Sequence, residues 1–211
     1  MKNFSELGLS EAVAIAIAEL GFEKPTPIQS QVIPAMLESA KDLIALAQTG
    51  TGKTAAFGIP LVELIDTSAK KPQALVLAPT RELCVQIEND LKAFSAKTKH
   101  FYTVAVYGGA NIRTQIDQLR KGVQVVVATP GRLIDLLGRR AVDLSQIKYL
   151  VLDEADEMLN MGFQEDIDEI LSTTPKEKVT WLFSATMPTE IKSISKKYMK
   201  SPMEISAGNV N

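Results

Sequence analysis

Seven short, nearly continuous apolar runs alternate along this chain with stretches of helical periodicity. Such runs are typical of strands that are buried on both faces of a parallel sheet. Their alternation with helices predicts crossover connections, and therefore an α/β fold with a wound parallel sheet flanked by helices. The predicted strands cover residues 43–47, 74–78, 104–107, 123–128, 149–153, 179–183 and 203–206, and the predicted helices cover residues 10–20, 28–38, 53–65, 81–97, 112–121, 132–137, 164–172 and 190–199.

The first two predicted helices precede the first strand. Residues 1–40 are therefore expected to form an N-terminal helical extension, and residues 41–211 to form the sheet domain. Ser10 and Thr189 are predicted N-caps, and Gly21 is a predicted helix stop.

Composition excludes several kinds of site and location. The 211 residues suit one large α/β domain, and 45% hydrophobic with 23% charged residues is ordinary for a globular protein. The net charge of −2 means that nucleic-acid binding would need a local basic patch. A single cysteine, Cys84, and a single histidine, His100, cannot form an internal disulfide or a zinc site. With no signal-like or membrane-length apolar run, these features predict a cytoplasmic location.

A glycine-rich segment ending in Lys-Thr follows the first predicted strand and precedes a helix. Gly50 and Gly52 allow backbone N–H groups to turn inward, and the helix that follows directs its positive end at an anion. Lys53 can reach the β and γ phosphates of a nucleotide, and Thr54 can offer its hydroxyl to Mg²⁺. The predicted phosphate-binding loop consists of Ala47, Gln48, Thr49, Gly50, Thr51, Gly52, Lys53 and Thr54.

An acidic tetrapeptide, residues 153–156, directly follows the apolar run 149–152. This places its carboxylates at the carboxyl end of a strand, where ligands of open α/β sheets bind. An isolated acidic tetrapeptide more often indicates a solvated helix start. In order after the phosphate-binding loop, however, it predicts binding of a nucleoside triphosphate with magnesium, and its hydrolysis.

Four other predicted strands are followed by small or polar residues, at 79–82, 108–109, 129–132 and 184–186. In a parallel sheet these loops emerge at the same edge as the two segments above. Small residues allow close backbone approach to a bulky polyanion. Taken singly, residues 108–109 could be a tight turn and residues 184–186 a simple connector; their shared edge favours a binding function.

The ordered set of segments resembles the first RecA-like lobe of a DEAD-box ATP-dependent RNA helicase, a P-loop NTPase fold. Residues 21–29 resemble the family's Q motif, with Phe4 at the usual upstream aromatic position. Ala47 stands where the general phosphate-loop pattern has glycine, and alanine is what this family shows. The remaining correspondences are 47–54 with motif I, 79–83 with motif Ia, 108–109 with the double-glycine element, 129–132 with motif Ib, 153–156 with motif II, and 184–186 with motif III.

The resemblance implies roles in binding ATP and Mg²⁺. The Gln29 amide would pair with N6 and N7 of adenine, and Phe22 would pack against the base. Asp153 would hold Mg²⁺ directly or through water, together with Thr54. Glu154 would orient and deprotonate the attacking water. The implied catalytic set is Lys53, Thr54, Asp153 and Glu154.

The resemblance also implies an RNA-binding edge and a coupling element. Contacts to phosphates and sugars carry little base-sequence information. Asp156 would bond to Ser184 or Thr186 and to a partner lobe, which would couple hydrolysis to closure. The implied RNA-binding residues are Pro79, Thr80, Arg81, Gly108, Gly109, Thr129, Gly131 and Arg132.

No His-Arg-x-Gly-Arg-x-x-Arg element occurs within the 211 residues, so we do not expect them to include the family's second RecA-like lobe. We therefore expect one lobe of a larger helicase, which alone binds nucleotide and weakly binds RNA. The alternative is a stand-alone adenine-nucleotide-binding module without turnover. A DNA translocase fits less well, because the Q motif matches and Asp156 stands where such proteins carry histidine.

Overall fold

The computed structural model describes residues 3–207. Within that range a short 3-10 helix, Phe4–Glu6, precedes nine α-helices and seven strands. The strands are β1 Leu43–Leu46, β2 Ala74–Leu77, β3 Thr103–Val106, β4 Val125–Ala128, β5 Tyr149–Leu152, β6 Val179–Ser184 and β7 Met203–Ser206. The helices are α1 Glu11–Glu19, α2 Pro27–Glu38, α3 Lys53–Leu64, α4 Arg81–Phe94, α5 Ile112–Arg120, α6 Pro130–Gly138, α7 Ala155–Asn160, α8 Gln164–Ser172 and α9 Thr189–Tyr198.

All seven strands form one parallel sheet in the order β3-β4-β2-β5-β6-β1-β7. The predicted α/β architecture with a wound parallel sheet is therefore confirmed. Because the strands are parallel, the loops that follow them emerge at one edge. The segments singled out from the sequence lie at that carboxyl edge.

Alternate residues of each strand point to opposite faces, and each face carries its own hydrophobic cluster. In β2, Val76 packs with α2, α3 and α4, whereas Leu75 and Leu77 pack with α6, α7 and α8 on the other face. Trp181 and Phe183 of β6 belong to the first cluster and are fully buried, as expected for core residues. Burial on both faces explains why the strands read as continuous apolar runs.

The N-terminal extension packs directly on the sheet domain. Phe4, Ile17 and Ile33 share one hydrophobic cluster with Phe57 of α3. Helix α1 ends at a glycine in the left-handed conformation: Gly21 has φ +83°, and its N–H donates to the Ala18 carbonyl at 3.0 Å. The predicted stop is therefore confirmed.

Helix starts and ends differ locally from the sequence prediction. Ser10 is the N-cap of α1, because its hydroxyl accepts from the Val13 N–H at 3.4 Å. The prediction that Thr189 is an N-cap was wrong, because α9 begins at Thr189 itself and Pro188 occupies the capping position. The sequence also missed α7, whose six residues are too few to show clear periodicity.

Further bounds differ by a few residues. Helix α4 ends at Phe94 instead of residue 97, and the Ser95 hydroxyl donates to the Lys92 carbonyl there at 3.2 Å. Helix α6 begins at Pro130, two residues earlier than predicted, because a proline at the first position needs no hydrogen-bond acceptor for its nitrogen.

Among the described residues no helix is both long and apolar enough to span a membrane.

A buried carboxylate joins three segments at the amino edge of the sheet. Asp42, just before β1, accepts the N–H of Thr180 at 2.7 Å and the N–H of Lys200. We expect Asp42→Ala to lower the free energy of unfolding by about 3 kcal/mol, because both donors lose their partner. Urea denaturation measures this, with Asp117→Ala, at an exposed position, as a control expected within about 0.5 kcal/mol of wild type. A loss below about 1 kcal/mol for Asp42→Ala would contradict the assignment.

The lone thiol is expected to be chemically silent in the folded chain. Burial raises the pKa of Cys84 to about 12, with a further increase from the negative charge of Asp153. The thiolate fraction at pH 8 is then only about 10⁻⁴, so alkylation by iodoacetamide is expected to be at least about 100-fold slower in the native state than in urea. Mass spectrometry of the intact chain measures the extent of alkylation, which reports on Cys84 because the chain has no other cysteine. Native labelling within about tenfold of the unfolded rate would show that α4 exposes the thiol.

Candidate functional site

A cavity of about 490 Å³ opens at the carboxyl edge of the sheet. Several segments that are far apart in sequence line it. Phe22 and Gln29 come from the extension, Lys53 from the start of α3, and Asp153 and Glu154 from the end of β5. Of the predicted phosphate-binding loop, Thr49, Gly50, Gly52, Lys53 and Thr54 line the cavity, whereas Ala47, Gln48 and Thr51 do not.

The phosphate-binding loop presents a buried cation at the start of a helix. Gly52 has φ +91° and is the N-cap of α3, so the next residues direct their N–H groups towards the cavity. The Lys53 side chain is buried, and its ammonium has no hydrogen-bond partner among residues 3–207. A buried ammonium without a partner is costly, and a nucleotide phosphate is a ligand that fits it.

Gln29 connects the extension to the phosphate-binding loop. Its Oε1 accepts the Thr26 N–H at 2.9 Å, and its Nε2 donates to the Gly52 carbonyl at 3.2 Å. These two bonds identify which terminal atom of the Gln29 amide is the oxygen and which is the nitrogen. An amide has two donor hydrogens and two acceptor lone pairs, so one of each remains for a ligand.

One wall of the cavity comes from α4, which the sequence did not assign to the nucleotide site. Leu83, Gln86, Asp90 and Phe94 line it there. The Phe94 ring stands edge-on to Phe22 with ring centroids 5.8 Å apart. Helical periodicity marked α4 as amphipathic, but which of its residues face the cavity depends on how α1 and α3 pack against it.

The acidic tetrapeptide places two carboxylates beside Lys53. Asp153 directly follows β5 and is buried, and burial raises its pKa to about 7, although nearby Lys53 acts in the opposite direction. Glu154 adopts a left-handed conformation, with φ 48° and ψ 50°, at the start of α7. This conformation is unfavourable for a residue with a side chain, and strained residues of this kind cluster at functional sites.

Asp156 reaches the loop after β6. Its Oδ2 accepts both the N–H and the hydroxyl of Thr186, at 2.9 and 2.8 Å. Burial raises the pKa of Asp156, but the polar groups of residues 184–186, with the Thr186 hydroxyl first, more than offset this, so its pKa lies below the usual value. The hydrogen bond expected between segments 153–156 and 184–186 is therefore present with Thr186. The Ser184 hydroxyl is buried without a hydrogen-bond partner in the described part of the chain.

Arg81 lies at the part of the carboxyl edge where RNA binding was predicted. Its guanidinium lies 5.0 Å from the centre of the Tyr107 ring, and a Cβ on Gly109 would lie 3.9 Å from Arg81 Nη1. The loops after β2 and β3 are thus neighbours, as expected. Thr80 caps α4 by accepting the Leu83 N–H at 3.2 Å.

Arg132 is engaged within the protein. Both terminal nitrogens donate to the Ala110 carbonyl at 3.2 and 3.1 Å, and Nη1 also donates to Gln115 Oε1 at 2.8 Å. Gln115 is buried and in turn donates to the Tyr107 carbonyl. Arg132 and Gln115 therefore stabilise the loop that contains Gly108 and Gly109. The sequence alone had given no reason to assign Gln115 this role.

The sequence profile of the family described as DEAD/DEAH box helicase matches residues 26–194, most of the chain. The chain belongs to the DEAD/DEAH box helicase family. The matched residues include Gln29, the phosphate-binding loop and the acidic tetrapeptide, which meet at the cavity.

Two curated DEAD-box relatives illustrate the similarity. The chain is 54% identical over 200 residues to "ATP-dependent RNA helicase CshA" of Limosilactobacillus reuteri, covering 95% of this chain and 40% of the relative. It is 50% identical over 203 residues to "ATP-dependent RNA helicase DeaD" of Escherichia coli K12, covering 96% of this chain and 32% of the relative. The chain therefore spans less than half the length of either relative.

Solved structures agree with the family assignment and with the RecA-like fold. A DEAD box protein from the hyperthermophile Methanococcus jannaschii matches 98% of this chain and 56% of its own, at 46% identity and a TM-score of 0.94. A hypothetical ATP-dependent RNA helicase from Sulfolobus tokodaii matches 94% of this chain and 57% of its own, at 41% identity and a TM-score of 0.87.

Proposed function

We propose that this DEAD-box chain is the ATP- and RNA-binding lobe of an ATP-dependent RNA helicase. In that enzyme, ATP hydrolysis is coupled to local separation of an RNA duplex. The observation that carries the proposal is the buried Lys53 ammonium, which stands without a partner at a helix start inside a cavity of about 490 Å³. A nucleoside triphosphate would supply the negative charge that pairs with this ammonium, and its size suits the volume of the cavity.

Magnesium is proposed to bind between Thr54 and Asp153. Both line the same cavity, and their hydroxyl and carboxylate oxygens are ligands that Mg²⁺ prefers. No cluster of three or more His, Cys, Asp or Glu residues within residues 3–207 could hold a metal by itself. The site thus fits an ion that is held jointly by few protein ligands, nucleotide phosphates and water. When bound, the ion would neutralise charge on the transferred phosphate.

Glu154 is the proposed general base. It lines the cavity beside Lys53 and Asp153, and its side chain is partly exposed, so water can reach it. Lys53 would hold the β and γ phosphates, while Glu154 would orient the attacking water and accept its proton. Asp156 and Thr186 would transmit closure of the enzyme to this site through their paired hydrogen bonds.

RNA is proposed to bind along the neighbouring loops of the same edge. Arg81, the amides near Gly109, and the start of α6 after Thr129 offer a cation and backbone donors suited to phosphates. Arg132 is proposed to act mainly by shaping this surface, because the protein already occupies donors on both of its terminal nitrogens. Such contacts favour binding that is largely independent of base sequence.

A second RecA-like lobe is the proposed partner in catalysis. No arginine within residues 3–207 lines the nucleotide cavity, so charge stabilisation from the side opposite Lys53 must come from elsewhere. An arginine supplied there can raise the rate about 10³–10⁵-fold.

We also propose a cytoplasmic location and a division into an extension, residues 1–40, and a nucleotide-binding lobe, residues 41–211.

The base specificity of Gln29 provides the direct test. Its remaining N–H and lone pair match N7 and the N6 amino group of adenine, whereas guanine presents two acceptors. We expect ADP to bind at least about tenfold more tightly than GDP in titration calorimetry, because a mismatched pair costs about 1–3 kcal/mol. Equal affinities for ADP and GDP would refute the proposed base recognition.

The matched variants are Gln29→Glu and Gln31→Glu, both on α2. The first removes the donor that serves the Gly52 carbonyl and adenine N7, so ADP affinity is expected to fall at least about tenfold. Gln31 is exposed and bonds only to the Pro27 carbonyl, so its replacement is expected to leave ADP affinity within about twofold. A similar effect of both substitutions would indicate nonspecific repulsion by the added charge.

A further inference from the structure

A second cavity, of about 630 Å³, lies at the opposite edge of the sheet from the nucleotide cavity. It is bounded by the amino-terminal ends of β3 and β4, by helices α4 and α5, and by the loops that follow α3 and α4. Its volume lies within the range of about 300–1,000 Å³ that is typical of ligand pockets. We propose that this cavity binds a small amphipathic organic anion, meaning an apolar ring system or chain that carries one acidic group.

The cavity is held open by a buried side chain. Gln124 is fully buried just before β4, and its Nε2 lies 3.3, 3.1 and 3.1 Å from the carbonyl oxygens of Thr67, Ala69 and His100. Its Oε1 accepts the Tyr102 N–H at 2.7 Å. These bonds fix the loop after α3 and the loop after α4 to the same amide. A preformed cavity lowers the ordering cost of binding.

Gly122, which precedes β4, allows the chain beside Lys121 to lie close to Lys70. Gly122 has φ +86°, and a Cβ there would lie 2.8 Å from Lys70 Cβ and 3.2 Å from the Lys70 carbonyl oxygen. No residue with a side chain fits this contact without displacing the backbone at Lys70. The ammonium-bearing residues Lys70 and Lys121 are thereby brought to the same cavity.

The lining combines positive charge with an apolar floor. Lys92 is paired with Glu88 at 2.7 Å, but within residues 3–207 neither Lys70 nor Lys121 has a carboxylate within 4.0 Å. Val104 and Val123 are apolar members of the lining, and Tyr102, whose backbone N–H is fixed by Gln124, is 52% exposed. Two uncompensated cations above apolar side chains favour an anion with an apolar body.

One polar group in the lining also lacks a partner. Thr103, the first residue of β3, is 9% exposed, and its hydroxyl is buried without a hydrogen-bond partner among the described residues. Buried polar groups are usually hydrogen-bonded in native proteins.

The test compares two fluorescent probes that share their rings and differ in charge. 8-Anilinonaphthalene-1-sulfonate carries an anionic group, and N-phenyl-1-naphthylamine has the same rings without it. Both are titrated into the 211-residue chain with ADP and Mg²⁺ in excess, which keeps the probe out of the nucleotide cavity. We expect one sulfonate probe per chain, bound at least about tenfold more tightly than the neutral analogue. Equal affinities of the two probes would overturn the proposal.

Variants then locate the probe. Lys70 and Lys121 are exposed, so Lys70→Glu/Lys121→Glu is expected to fold normally and to weaken the sulfonate probe at least about tenfold. The matched control reverses two exposed lysines of α9, Lys192→Glu/Lys196→Glu, and is expected to change the affinity by less than about twofold.

A substitution that fills the cavity tests the same site by a steric effect, independently of charge. Gln118 is an exposed residue of α5 that lines the cavity, so Gln118→Trp occupies its mouth without disturbing the core. We expect this variant to lose binding of the sulfonate probe while its ADP affinity stays unchanged. Unaltered probe affinity in both Gln118→Trp and the double lysine variant would place the probe elsewhere and refute the site. ADP affinity reports separately on the proposed nucleotide function.

Discussion

Replacing Glu154 by glutamine is expected to slow ATP hydrolysis by about 10²–10⁴-fold, the usual contribution of a positioned general base. The amide keeps the size of the side chain and its place beside Lys53 and Asp153, but it cannot accept a proton from water. ADP affinity is expected to stay within about twofold of wild type, because the role proposed for Glu154 concerns the attacking water and not the bound phosphates. Phosphate release is measured on a two-lobe protein that contains this chain, with single-stranded RNA present.

The control for this substitution lies on the same short helix. Glu157 of α7 is exposed and does not line the nucleotide cavity, so Glu157→Gln is expected to hydrolyse ATP at the wild-type rate. A Glu154→Gln protein that retains the wild-type rate would rule out the general-base assignment. A loss of ADP binding as well would show that the left-handed backbone at residue 154 had changed, and the assignment would then need another variant.

Replacing Gly52 by alanine is expected to lower adenine-nucleotide affinity at least about 30-fold, or about 2 kcal/mol. The added Cβ would lie 2.4 Å from Gln29 Nε2 and 3.3 Å from Thr26 Oγ1. The Gln29 amide must therefore leave the orientation in which it lines the cavity and donates to the Gly52 carbonyl. The φ of +91° at this position also costs a residue with a side chain about 1–2 kcal/mol.

Two controls separate the clash from the backbone cost. Gly162 has φ +86° with nothing within 4 Å of an added Cβ, and it lies outside the cavity, so Gly162→Ala is expected to affect stability without changing ADP affinity. In a Gln29→Ala background the clash is gone, so Gly52→Ala is expected to cost clearly less than in the wild type. Titration calorimetry of the four proteins of this cycle gives the coupling. Strict additivity would mean that Gly52 acts independently of Gln29.

The elements and the motif-bearing loops could be predicted from the sequence because they depend on local patterns. Each buried strand is a short apolar run, and each is followed by small or polar residues that must emerge at one edge once the strands are parallel. The phosphate-binding loop shows the same property, since Gly52 and the helix that begins at Lys53 are neighbours in the chain. The resemblance to one family then followed from the order of these segments.

The contacts that complete the site were decided by the tertiary structure. Gln29 reaches the Gly52 carbonyl across 23 residues, and Thr186 reaches Asp156 across 30. Arg132 turns inward to the Ala110 carbonyl, although its position in the sequence is equally suited to solvent or RNA. The wall that α4 contributes and the cavity around Gln124 likewise depend on which helices flank which strands. Periodicity predicts that a face is buried but does not specify what covers it, because the strand order β3-β4-β2-β5-β6-β1-β7 arises from packing between segments distant in sequence.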